Sequence, residues 1–465
     1  MATMGALLGP RKSIEETLES TEMESHRLRR DLGALDILVL GIGVIVGAGI
    51  FVLAGVAAAT KAGPAISLSF VLAAVVCALA ALCYAEFASL VPAAGSAYTY
   101  SFATLGQLVA FIIGWDLVLE FTIGASAVAV GFAGYLNSLL DQLSGVTLPD
   151  AIAAPPGDGG TVNVFGIAVV LLVGLVLIRG IRVTARATTV LVALTLAVLL
   201  LVVAVGSTDV DTANWSPFTP FGFDGIVGGA SLVFFAYIGF DVVATCAEEA
   251  RDPQRTMPIG IIGSLAIVTV LYIAVALVLT GMVPFKELNS DAPVSEAFKG
   301  VGKDWAAAII YVGALVATLK TVMILMLGQS RVAFAMSRDR LLPQALGRTH
   351  ERFSTPHKIT LITMVVVAAL AGFVPLTTLA ELVNIGTLFA FMLVSAGVLV
   401  LRRTQPERER PFRTPLVPLV PILAIIGCMY LAVTLPAATW IRFGVWMVLG
   451  LVVYALYSRR MSVVG

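Results

Sequence analysis

A chain of 465 residues that is 59% hydrophobic and 12% charged, with a mean hydropathy of +0.98, is far from a soluble globular protein, in which about a quarter of the residues are charged. Its formal net charge is zero and its basic residues form short clusters rather than a continuous face, which argues against nucleic acid as a partner. Cys77, Cys83, Cys246 and Cys428 fall in apolar stretches and make no C-x-x-C pair, so they read as small buried hydrophobes.

The first 30 residues are polar and charged, and the apolar run behind them is too long for the core of a cleavable signal peptide; 1–32 reads as a cytoplasmic N-terminal segment. Crossing the hydrocarbon of a bilayer takes about 20 apolar residues. Twelve segments qualify, numbered here 1 to 12: about 35–58, 65–90, 106–136, 162–180, 187–206, 226–246, 258–282, 305–328, 358–374, 382–401, 416–436 and 440–457. With the N-terminus inside, 23 of the 29 Lys and Arg fall in inner segments and 5 (Lys61, Lys286, Lys299, Lys303 and Arg442) in outer ones, leaving Lys320 within segment 8. That bias predicts cytoplasmic termini. The longest outer loops are 137–161, 207–224 and 283–304, and the inner stretch 332–357 has room for short surface helices.

Segments 1 and 6 are broken by glycine: Gly41-Ile42-Gly43 through Gly47-Ala48-Gly49-Ile50-Phe51, and Gly228-Gly229 through Phe235-Ala236-Tyr237-Ile238-Gly239-Phe240-Asp241. Backbone freed from a helix at membrane depth must line a cavity, since lipid offers it no partner. Matched breaks half a chain apart are the sequence signature of a transporter binding site. The spacing implies two five-helix repeats, 33–206 and 224–402; an odd number of helices makes the second run inverted. Helices 11 and 12 (415–458) lie outside the repeat and 459–465 is a cytoplasmic tail. The expected architecture is an all-α polytopic membrane protein with 12 transmembrane helices, 1 and 6 discontinuous.

The stretch Phe234-Phe235-Ala236-Tyr237-Ile238-Gly239-Phe240-Asp241, then Ala244 to Arg255 and Met257-Pro258-Ile259-Gly260-Ile261, closely resembles the cationic amino acid transporter branch of the amino acid–polyamine–organocation superfamily. Gly41 to Phe51, Tyr84-Ala85-Glu86-Phe87 and Pro92 to Tyr100 resemble the same superfamily, over about residues 30–460 in all. The resemblance implies a LeuT-type 5+5 inverted repeat, alternating access, L-amino acids as substrate, the cell membrane as location, and no cofactor or metal.

An amino acid zwitterion needs N–H groups for its carboxylate and carbonyls for its ammonium. A helix N-terminus supplies the former, and glycine lets backbone approach closely. The resemblance places the carboxylate on Ala48, Gly49 and Ile50, with Ala48 lacking the hydroxyl often found there, and the ammonium on carbonyls of Ile42, Phe235, Ala236 and Ile238. It makes Phe235 a gate over the substrate; an ordinary apolar contact is the alternative. Glu120, mid-span in segment 3, is costly in lipid and should face the bundle interior. It could attract a cationic side chain, stay protonated beside a neutral one, or bond between helices. Asp241 could order the segment 6 break or take part in proton movement. Glu86, with Glu248, Glu249, Arg251 and Arg255, reads either as a gate-like ion pair or as a solvated charged rim.

Many proton-coupled bacterial relatives carry a segment 5 lysine in place of bound sodium. Thr195 stands at that position here, whereas segment 8 carries Lys320 followed by Thr321. Lys320 is therefore expected either to deliver an ammonium to the vacant ion site and cycle protons, to bridge helices 1 and 8 as a fixed charge, or to snorkel outward. Met323, Leu325 and Met326 further along segment 8 either shape the side-chain pocket, favouring small substrates over arginine, or merely pack.

The function expected is secondary active transport of small neutral or cationic L-amino acids, proton-coupled or, alternatively, by exchange or facilitation. A sensor with a transporter fold is the distant alternative. An intramembrane enzyme is excluded: His26, His350 and His357 all fall in inner segments and no H-E-x-x-H occurs. No Walker motif is present for ATP.

Overall fold

The computed structural model describes residues 32–91, 97–145, 148–180, 185–350 and 355–459. The N-terminal segment 1–31, the 92–96 part of the Pro92-to-Tyr100 motif, Arg182, Arg352 and the tail from 460 lie outside them, as do the side chains of Arg186 and Glu248.

Each apolar segment of the sequence coincides with a helix. Eight helical runs are long and apolar enough to cross a membrane: Gly49–Leu90, Gln107–Ser144, Thr189–Asp209, Gly222–Ala244, Pro253–Met282, Asp304–Arg338, Leu376–Thr404 and Ala437–Ser458. Four shorter apolar helices join them: Ala34–Ile45, Val164–Ile178, His357–Phe373 and Leu419–Val433. The first long run divides at Gly63, whose φ of +63° is a left-handed turn that glycine makes without strain, and Pro64 follows it. Ahead of that turn the chain is the second half of segment 1; behind it, Ile66–Leu90 is segment 2.

Helices are the natural outcome of these sequences, because in lipid every backbone group must find its partner within the segment. Hydroxyls fold back onto the same ladder: Thr122 Oγ1 donates to Val118 O at 2.6 Å, Ser126 Oγ to Thr122 O at 2.8 Å and Thr318 Oγ1 to Ala314 O at 2.7 Å. Small residues set the close crossings. A Cβ on Gly260 would meet Ile37 Cγ2 at 2.2 Å, and one on Gly313 would meet Val198 Cγ2 at 2.5 Å, so segment 7 crosses segment 1, and segment 8 crosses segment 5, at glycine.

The helices pair in a regular way: segment 1 with 6, 2 with 7, 3 with 8 and 4 with 9. Segment 3 (Gln107–Ser144), about 57 Å long at 1.5 Å per residue, also packs on segment 10 and forms the central pillar. Segments 11 and 12 stand outside, where Ile422, Ile426, Val445, Val448, Leu449 and Val452 are exposed; an apolar exterior of this kind faces lipid. At the arginine-rich end, Leu32 N donates to Glu249 O (3.0 Å) and Arg251 N to Leu32 O (2.9 Å), pinning the start of segment 1 to the end of segment 6.

Candidate substrate site

Segment 1 is helical over Ala34–Ile45 and then breaks at Val46 (φ −78°, ψ +100°). Helix resumes at Ala48 and continues through a π-helical turn, Gly49–Leu53. Gly41 and Gly43, expected to belong to the break, lie within the first helix and serve packing: their Cβ positions would meet Ser264 Oγ at 2.6 Å and Val192 Cγ2 at 2.5 Å. Ile42 is likewise helical and its carbonyl accepts Val46 N–H at 2.9 Å. The carbonyls at the bend are those of Ile45, which accepts from Tyr272 Oη at 3.0 Å, and Val46.

Segment 6 runs Gly222–Val233, tightens into a 3₁₀ turn over Phe234–Tyr237, becomes extended at Ile238 and resumes at Phe240–Ala244. Gly239 has φ +128°, which only glycine adopts readily, and a Cβ there would lie 2.6 Å from Val44 Cγ1. Asp241 Oδ1 accepts Gly239 N–H at 3.1 Å, closing the bend from below. The two breaks touch: a Cβ on Gly49 would stand 2.3 Å from Ala236 Cα.

Where they meet, a cavity of about 20 Å³ is lined by Val44, Ile45, Gly47, Ala48 and Gly49 of segment 1, Phe235 and Ile238 of segment 6, Gly124 and Val128 of segment 3, and Thr321 and Leu325 of segment 8. That volume holds about one water, so an amino acid enters only when a wall moves. Phe235 and Leu325 are among the large side chains of that wall. The lining is apolar but for the Thr321 hydroxyl and backbone. Helix restarting at Ala48 presents N–H groups without an intrahelical partner, the usual docking point for a carboxylate.

Among the residues expected here, Ala48, Gly49, Phe235, Ile238 and Thr321 line the cavity. Ile50 and Ala236 are buried just behind it and Met326 is buried in the core, whereas Met323 is only partly buried against that core. Of Met323, Leu325 and Met326, Leu325 is the one that lines the cavity. Glu120 lies one helical turn from Gly124, outside the lining, with both carboxylate oxygens buried and without a hydrogen-bond partner among the described residues.

Lys320 does not snorkel. It is 2% exposed, and Nζ donates to Val46 O at 3.4 Å. Thr321 Oγ1 reaches the same carbonyl at 3.4 Å while bonding Ala317 O at 2.9 Å. A Cβ on Gly43 would lie 3.8 Å from Nζ, ordinary contact, which places the ammonium beside segment 1 at Gly43. Across from it, segment 5 offers Val192, while Thr195 turns its hydroxyl onto its own helix at Leu191 O (2.8 Å).

Glu86 does not pair with the arginines that follow segment 6. It accepts from Arg402 Nε and Nη2, each at 2.9 Å, and from Thr414 N at 2.8 Å, and lies 3.2 Å from Arg410 Nε, although that last contact lacks hydrogen-bond alignment. The acid thereby ties segment 2 to the end of segment 10 and the loop beyond. Glu249 pairs instead with Arg331 of segment 8, Oε1 to Nη2 at 3.2 Å.

The amino acid permease family model matches residues 32–457. The chain is 48% identical to the methylthioribose transporter of Bacillus subtilis, over 98% of this chain and 99% of that protein. It is 46% identical to the branched-chain amino acid permease BcaP of the same organism, over 97% and 98%. It is 39% identical to the vacuolar cationic amino acid transporter 4 of Arabidopsis thaliana, over 82% of this chain and 65% of that longer protein. These relatives are named as transporters and permeases, not enzymes. With its apolar helices and its two facing breaks, the chain belongs to the amino acid permease family and is a multi-pass membrane protein.

Proposed function

We propose that the protein is a secondary active transporter that carries neutral aliphatic L-amino acids across the cell membrane by alternating access. The observation that carries this reading is the cavity between the breaks, walled by Val44, Ile45, Val128, Phe235, Ile238 and Leu325 with no charged side chain in its lining. Such a site suits an alkyl side chain and leaves a guanidinium without a partner, at high cost. Branched-chain amino acids head the candidates; a relative named for them aligns over almost the whole chain. The arrangement proposed is twelve membrane spans with cytoplasmic termini, the first ten forming two inverted repeats of the LeuT type. The pairing of segments 1 with 6, 2 with 7, 3 with 8 and 4 with 9 is what a pseudo-twofold axis would produce.

The substrate carboxylate would bind the N–H groups at Ala48, Gly49 and Ile50, and its ammonium the carbonyls of the segment 6 turn. Lys320 would hold the place of a coupling cation, its ammonium on the Val46 carbonyl at the foot of the same break, and release of its proton would weaken that tie and couple transport to the proton gradient. A second reading follows from the same contact: with Thr321 sharing Val46 O, Lys320 would bridge segments 1 and 8 permanently and the protein would exchange amino acids without proton drive.

Counterflow of radiolabelled L-leucine in proteoliposomes, competed with L-valine, L-alanine, L-arginine and methylthioribose, tests the substrate class. Valine should compete most strongly and arginine not at all. Competition by arginine equal to that by valine would refute the apolar pocket as the selector.

A further inference from the structure

Segment 3 carries a second acid that the substrate site does not use. Asp116 and Glu120 are one turn apart, and Gly124, in the cavity wall, is one turn beyond Glu120. The three lie along one helix face, stepping about 6 Å for every four residues, away from the cavity and toward the arginine-rich end. Both carboxyls are buried, and all four of their oxygens lack a hydrogen-bond partner among the described residues. Asp116 Oδ1 faces bare backbone on segment 10, where a Cβ on Gly386 would stand 3.0 Å from it. Thr387 is beside Glu120, its hydroxyl donated to Val383 O at 3.0 Å.

Another buried polar group without a partner lies near the two acids. Tyr84 of segment 2 is fully buried, its hydroxyl has no partner, and it lies within electrostatic reach of Asp116, Glu120 and Asp241. Its ring is fixed by edge contacts with Phe240 (5.7 Å) and Phe391 (5.4 Å). The groups facing the pair are therefore Tyr84 from segment 2, Asp241 from segment 6, Thr387 from segment 10 and, beyond Tyr84, Tyr100. Segments 4, 8, 9 and 12 also pack on segment 3, and among the described residues they bring no lysine, arginine or histidine to either acid.

Two carboxylates one turn apart in a dry interior, with no cation, cannot both be ionised. We propose that Asp116 and Glu120 form a proton-holding carboxyl pair, with the Tyr84 hydroxyl as its polar neighbour, that stores a proton beside the substrate cavity and is distinct from the Lys320 contact. It rests on the transport reading only for its purpose: the stored proton would pass along segment 3 between the cavity and the inner face. The pair holds its proton whether or not the protein moves an amino acid.

Infrared spectroscopy of the purified full-length protein at neutral pH tests this directly. The carbonyl-stretch band of protonated carboxylic acid should be present in the wild type. It should diminish in Asp116→Asn and in Glu120→Gln, and shift in frequency in Tyr84→Phe. A spectrum in which neither Asp116→Asn nor Glu120→Gln removes intensity from that band would overturn the proposal; no shift in Tyr84→Phe would remove the tyrosine from it. Should Asp116→Asn fail to fold, the wild-type band and Glu120→Gln decide alone. The pH profile of leucine binding gives a second readout. If substrate binding releases the stored proton to solvent, Asp116→Asn should remove up to about a tenfold change of Kd per pH unit. An unchanged profile together with an unchanged band contradicts the pair. Absence of any leucine binding by the wild type would count against the transport reading and leave the infrared result to stand by itself.

Discussion

Gly49→Ala is the sharpest perturbation of the site. The added methyl would lie 2.3 Å from Ala236 Cα, 2.5 Å from Ala236 Cβ and 3.0 Å from Ala236 N. Carbon atoms pack at about 3.5–4 Å, so one break must retreat from the other by more than an ångström. The obstructing atoms are mostly backbone, so no rotamer change relieves the clash. Overpacking of this kind costs about 1–3 kcal/mol, and because it displaces the N–H groups proposed to hold the carboxylate, most of it should appear in substrate affinity. At about 1.4 kcal/mol per decade that is a loss of roughly 5- to 150-fold. The assay is equilibrium binding of radiolabelled leucine to purified protein, with a melting curve to confirm the fold. Gly328→Ala is the control: its Cβ would meet Phe121 and Val242 at 3.5 Å, ordinary contact, and affinity should hold. Binding by Gly49→Ala equal to that of Gly328→Ala would refute the meeting of the two breaks as the carboxylate site.

Leu325→Ala removes a side chain from the cavity wall and should shift selectivity toward larger side chains; phenylalanine should gain relative to valine in the counterflow competition. Gly124→Ala, whose methyl would approach Leu325 Cδ1 at 3.4 Å, should do the reverse and favour alanine over leucine. Glu86→Ala removes the acceptor of Arg402 Nε and Nη2 and of Thr414 N, and the buried carboxylate beside Arg410; breaking a buried pair costs about 3–5 kcal/mol. The expected result is a marked fall in melting temperature in detergent, and an unchanged melting temperature would show the clasp to be idle. Arg331→Ala, by contrast, removes a partly exposed pair with Glu249, worth at most about 1 kcal/mol. It should leave the melting temperature nearly unchanged, and a marked fall would show the pair to carry more than its exposure allows.

Much of this site is legible in the sequence because its parts are chemically anomalous where they stand. Glycines clustered in an apolar run, and one lysine inside a span, are visible without coordinates, and Lys320 does point inward at the segment 1 bend. The exact bend is less legible. Gly41 and Gly43 look like part of it but serve packing against Ser264 and Val192, because glycine marks close crossing and broken helix alike. Leu325 could not be separated from Met323 and Met326 without the helix's rotation. The partners of Glu86 are more than 300 residues away along the chain, beyond any local pattern, and nearer arginines were the obvious but wrong candidates. Asp116 carries a signal of its own in the sequence: an acid at i−4 from Glu120, in an apolar span, puts two carboxyls on one face.

The most direct measurement of the coupling proposed here is concentrative uptake of L-leucine into proteoliposomes under an inward proton gradient at clamped membrane potential, with wild type and Lys320→Met side by side. The expected result is accumulation above equilibrium by the wild type and its loss in Lys320→Met. Full concentrative uptake by Lys320→Met would contradict the role given to the ammonium on Val46, and equilibration alone by the wild type would make the protein an exchanger with Lys320 as a fixed bridge.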